Sequence, residues 1–209
     1  MKKILSIALF TAAAAAANLA QAVPSLSFLI AGDTFNTTFS FTNTSTTGEK
    51  IDRFVLNLAT ISSGGPFCFD TVNGGPCNPD PQSPTPFMAV NGTGITTGLT
   101  SPGVVADGAS VLDLRFTDFN AGERFDWMID VDSASQLSIF GNDLIGATIT
   151  AYFSNGLTAV GALYGVAGNS QAAALSIDAL VPTTDVPEPG TLGLMGLAGA
   201  ALLYRRKHK

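Results

Sequence analysis

The chain is 209 residues long, 46% hydrophobic and 9% aromatic, with a net charge of −6. That is enough for one domain with a full core and too little for two comfortable ones. Six of its ten basic residues lie at the two ends, so residues 23–188 set four basic side chains against all sixteen carboxylates, a balance of −12 that argues against nucleic acid as a partner.

The first element in chain order is an apolar helix. Lys2 and Lys3 precede Ile4 to Ala17, which is broken only by Ser6 and Thr11, and Ala20-Gln21-Ala22 supplies a small-x-small site. This pattern predicts a secretory signal peptide over residues 1–22, with Ala20 and Ala22 framing the cut. Export machinery and signal peptidase are the partners it implies.

Residues 23–185 show the two-residue period of strands. Phe35, Thr37, Phe39 and Phe41 alternate with polar residues up to the turn-like stretch 43–48. Phe54, Leu56 and Leu58 form a second one-faced run, and Leu112, Leu114 and Phe116 a third, with Asp113 and Arg115 facing away. Phe125, Trp127, Ile129 and Val131 alternate with Asp126, Met128, Asp130 and Asp132. Ala147, Ile149, Ala151 and Phe153 close the series, and further strands are expected near 24–31, 103–106, 157–165 and 172–180. Eight to ten short, one-faced strands bounded by Gly, Asn, Asp, Ser or Pro predict an all-β domain. Its expected form is a two-sheet antiparallel β-sandwich, jelly-roll or immunoglobulin-like.

The stretch 62–102, rich in Gly, Pro, Ser and Thr, reads as a long excursion between core strands. Cys68 and Cys77 lie nine positions apart within it. An even, minimal cysteine count beside an export signal predicts one disulfide, and the spacing rules out a CxxC metal or redox site.

Little catalytic chemistry is on offer. The single histidine, His208, belongs to the basic tail, so the domain has none for a Ser-His-Asp triad or a histidine-ligated zinc. No glycine-rich phosphate loop runs from a strand into a helix. We therefore expect no enzyme and no obligatory cofactor. Carboxylates remain. Asp126, Asp130 and Asp132 share the polar face of one predicted strand, with next-but-one neighbours ~7 Å apart. Such a set reads in three ways: a hydrated, solubilising face, a glycosidase-like acid and base, or hard oxygen ligands. In the last reading Asp126, Asp130, Asp132 and Asp143, with Asn142, converge on calcium, although no continuous calcium loop with a central glycine is present. Trp127 invites sugar stacking, but its phase with Phe125, Ile129 and Val131 places it in the core.

The chain ends in three consecutive parts. Val186-Pro187-Glu188-Pro189 is a rigid punctuation, Thr191 to Tyr204 is an uncharged run, and Arg205, Arg206 and Lys207 begin a basic cluster. The run predicts a helix over 191–204 of about 21 Å at ~1.5 Å per residue, short of a ~30 Å hydrocarbon core. Snorkelling arginines and local thinning let such a helix span, with the basic cluster on the cytoplasmic side. It makes a good temporary anchor and a poor permanent one.

Motif, short helix and basic tail, in that order and opposite a signal peptide, resemble the PEP-CTERM sorting signal, over about residues 186–209. The resemblance implies recognition and cleavage near the motif by an exosortase-like membrane protease. It also implies a Gram-negative cell that makes exopolysaccharide. The expectation is a non-enzymatic exported protein, held transiently at the inner membrane and delivered to the outer surface or the exopolysaccharide matrix. The alternatives are a carbohydrate-binding or adhesive module, assisted by calcium, and a secreted glycoside hydrolase.

Overall fold

A computed structural model describes residues 23–46, 48–77, 84–90, 97–133 and 138–179. The expected signal helix over 1–22, and the sorting motif and apolar helix over 186–209, lie outside the described residues. Among the described residues, no helix is long and apolar enough to cross a membrane.

The domain is all-β. In chain order its strands are β1 (Ser25–Ala31), β2 (Phe39–Asn43), β3 (Ile51–Asn57), β4 (Phe67–Asp70), β5 (Met88–Ala89), β6 (Leu99–Ser101) and β7 (Val111–Phe119). There follow β8 (Arg124–Met128), β9 (Asp130–Ser133), β10 (Thr148–Phe153), β11 (Thr158–Ala162), β12 (Tyr164–Val166) and β13 (Asn169–Asp178). One sheet has the order β12-β13-β1-β2-β8-β5, a second β11-β10-β3-β7-β6, and β4 pairs with β9 alone. Among the described residues every pairing is antiparallel.

The two large sheets meet through aromatic rings. Phe28 and Phe41, from β1 and β2, stack on Phe54 of β3 with centroids 6.2 and 4.3 Å away. Phe41 also meets Phe116 and Phe119 of β7 edge-on at 5.8 and 4.9 Å. Trp127 is wholly buried in this cluster, which disposes of a sugar-stacking role for its ring. Tilted and edge-to-face pairs of this kind add to the burial of large apolar side chains, the dominant stabilising contribution in such a sandwich.

Alternation translates into burial along β1, β2, β3, β7, β8 and β10. Leu26, Phe28 and Ile30 of β1 point inward, as do Leu112, Leu114 and Phe116 of β7. The outward-facing Asp113 accepts two hydrogen bonds from Arg53 on the neighbouring strand, at 2.8 and 2.7 Å. The structure departs from the expected strands in several places, one being the strand expected near 157–165, which is two, β11 and β12, in different sheets. The strand expected from Phe35 begins only at Phe39, because the Asp33 side chain accepts from the Phe35 amide at 3.1 Å and Asp33 O from the Thr37 amide at 2.9 Å, closing a turn. Residues 103–106 form no strand; the nearest is β6, at the end of the long excursion. That excursion is not loop alone, since β4, β5 and β6 all lie within it.

The first large sheet thins out toward both margins and the second toward its β6 margin. Three of the four outermost strands, β12, β5 and β6, have three, two and three residues, while the fourth, β11, has five. Irregularities interrupt the pairing of β12 at Gly165/Val166 and of β6 between Leu99 and Ser101.

Candidate metal centre

The run from Phe125 to Val131 is not one strand. Its first half, β8, pairs with β2 inside the large sheet, while its second half, β9, leaves that sheet to pair with β4. All four residues of β9 are buried. Phe69 and Val131, opposite one another, are inaccessible to solvent and belong to the core cluster. Side chains two apart on a strand share a face, so Asp130 and Asp132 lie together on the other side, opposite Asp70 and Cys68 of β4.

That second face is covered as well. Asp70, Asp130 and Asp132 are 2%, 5% and 1% exposed. One carboxylate oxygen from each lies within 4.8 Å of the other two. The fully buried Thr34 hydroxyl donates to Asp130 Oδ1 at 3.4 Å and to the Val131 carbonyl at 3.2 Å. The Asp130 amide donates to the Thr85 carbonyl at 2.9 Å. Asp70 Oδ1 is sealed from solvent and accepts no hydrogen bond.

The electrostatics follow from crowding. Burial, and then the carboxylates of Asp132 and Asp70, push Asp130 up to about 7. Burial, and then Asp107 and Asp132, push Asp70 up to about 6. Asp107 behaves oppositely. Burial raises it, but the amides of Thr71, Cys77 and Val72, which donate at 2.6, 3.0 and 3.2 Å, outweigh that and hold it below the ordinary carboxylate range.

Asp107 thereby ties both ends of the disulfide loop to the cluster. Cys68 and Cys77 are bonded, with Cα atoms 5.6 Å apart. At Gly75, a Cβ would run into the Asp107 carboxylate, so this tight approach needs glycine.

The structure thus brings together Asp130 and Asp132 of the four aspartates singled out in the sequence. Asp126 lies elsewhere, on β8, accepting from Arg124 at 2.7 Å. Asp143 accepts the Phe140 amide at 2.9 Å at the start of a short 3-10 turn. The hydrated acidic face expected for Asp130 and Asp132 is replaced by a closed one, because the chain changes partners at Ile129. Asp70 was missed, since a four-residue strand between turns has no alternation long enough to read. Beside the disulfide, a surface groove is lined by Leu58, Ile61, Pro66, Phe67 and Pro76 among others, with no titratable side chain in its wall.

Fold and site together define an acidic, disulfide-pinned all-β domain whose densest charge is turned inward. Residues 185–207 match the PEP-CTERM protein-sorting motif, in agreement with the resemblance carried by Val186, Pro187, Glu188 and Pro189. That motif is the mark of an exported protein sorted at the membrane by an exosortase in Gram-negative bacteria. No curated protein and no solved structure matches the chain.

Proposed function

We propose that this is a non-enzymatic protein of the outer surface or exopolysaccharide matrix, exported through a signal peptide over residues 1–22. On this reading the tail parks the folded domain at the inner membrane until an exosortase acts near Pro187-Glu188-Pro189. The observation that carries it is the match at 185–207, where the basic Arg205, Arg206 and Lys207 end an apolar run. The interior supports the non-enzymatic part. The clustered carboxylates are shut away from solvent, whereas a glycosidase needs its pair flanking an open cleft.

A second reading, an adhesive or carbohydrate-binding module that uses calcium, is favoured by one observation, the convergence of Asp70, Asp130 and Asp132.

The test of sorting places one epitope tag near Ser101 and another after Lys209, followed by fractionation of cells with and without an exosortase. Sorting predicts a mature form that keeps the first tag, loses the second and leaves the inner membrane only when the enzyme is present. Both tags staying together in the inner membrane under both conditions would overturn the reading.

A further inference from the structure

Three carboxylates buried together are an unfavourable arrangement unless something positive, a proton or a cation, joins them. Ionised, they would carry three like charges with little solvent to screen them, and like charges in such a site oppose one another's ionisation. Among the described residues the basic side chains are engaged elsewhere: Lys50, Arg53 and Arg124 by Asp118, Asp113 and Asp126, and Arg115 also reaches Asp113.

The geometry is that of a hard-cation shell. Two oxygens on opposite sides of a calcium ion, each at about 2.4 Å, are about 4.8 Å apart, and neighbouring ligands are closer. One oxygen from each of Asp70, Asp130 and Asp132 falls inside that limit. The independent sign is Asp70 Oδ1, an acceptor on a side chain 2% exposed that has no donor facing it. Buried acceptors are otherwise almost always satisfied, and an ion is one of the few things that satisfies a carboxylate without a proton. The Thr34 hydroxyl beside Asp130 adds a neutral oxygen at the rim.

We propose that Asp70, Asp130 and Asp132 form a buried site for one divalent cation of the calcium class, bridging β4 to β9. The ion fastens the disulfide loop from within: Asp70 is two residues beyond Cys68, and Asp107 links the following turn to the Cys77 amide. By leaving the large sheet for β4, β9 sets Asp130 directly opposite Asp70. The site is independent of what happens to the tail.

The test is titration of the purified full chain, disulfide intact and stripped with chelator, with calcium chloride alone and then magnesium chloride alone. Isothermal titration and thermal melting are read in parallel. The site predicts one calcium per chain and a rise in Tm. Magnesium, which demands smaller, near-octahedral geometry, should bind at least ~10-fold more weakly. Asp70→Asn and Asp130→Asn should each weaken calcium binding by at least ~10-fold, with circular dichroism unchanged, whereas Asp113→Asn, on the surface, should leave it as it was. Absence of heat and of any Tm shift up to about 10 mM calcium would overturn the proposal, since even weak extracellular sites saturate there. So would wild-type affinity in both cluster variants, or an equal loss in Asp113→Asn, which would indicate a diffuse charge effect.

Discussion

Asp70 and Asp130 are direct cross-strand partners in the β4–β9 pair, two carboxylates facing each other at the buried end of a two-stranded ribbon. Like charges so placed destabilise a sheet pair. In chelator, Asp70→Asn should therefore raise stability to urea, by about 0.5–1 kcal/mol, because the amide keeps the shape and removes the repulsion. Destabilisation instead would show that the carboxylate itself is needed by its neighbours even without metal.

Stability without divalent ions should depend on pH in an unusual direction. Asp130 and Asp70 sit near 7 and 6 in the folded protein, above the ordinary carboxylate value of 3.8. Between about pH 4 and 7 the folded state therefore holds protons that the unfolded chain has given up. Stability from these groups is greatest near the low end of that window and falls as pH rises through the folded values. Urea melts in chelator at about pH 5, 6, 7 and 8 should show the fall, and Asp130→Asn should flatten it. A wild-type profile that rises across this range would contradict the electrostatics described above.

The disulfide closes a loop with a sequence separation of nine. Replacing both cysteines with serine should cost about 2–3 kcal/mol in the chain-entropy picture. Equilibrium unfolding of the double variant checks this, and the loss should be concentrated around β4, read by faster hydrogen exchange at Phe69, whose amide bonds to the Ala109 carbonyl.

Phe41 touches five aromatic neighbours, Phe54, Phe116, Phe119, Phe125 and Trp127, at 4.3 to 5.8 Å between centroids. Phe41→Ala should cost about 3–5 kcal/mol in denaturant melts. Tyr164→Ala, at a half-exposed position of an edge strand, should stay within ~0.5 kcal/mol of wild type.

The sandwich core was readable because a period of two needs only local sequence. Phe54, Leu114, Phe125 and Trp127 are buried where alternation put them. The site was half readable. Asp130 and Asp132 stood out as a pair, but their burial depends on β9 exchanging β2 for β4, a change of partner that leaves no trace in the alternation. Asp70 depends on the same exchange from the other side, and its strand is four residues long. Asp126 and Asp143 look identical to the others in sequence, yet each is taken by a nearby partner, the Arg124 guanidinium and the Phe140 amide. Short-range hydrogen bonding of this kind decides which aspartates are left to gather.

The thin margins of the two sheets bear on how copies of this domain behave at high density. An edge strand is a template, and its strength as one grows with the length of regular backbone it offers to a neighbour. Here β12, β5 and β6 offer two or three residues each, two of them broken in register, and β11 alone among these edges offers five in regular register. Copies packed side by side therefore have little to zip together strand on strand except along β11. Along the three short edges, contact between copies falls to side chains rather than to backbone pairing.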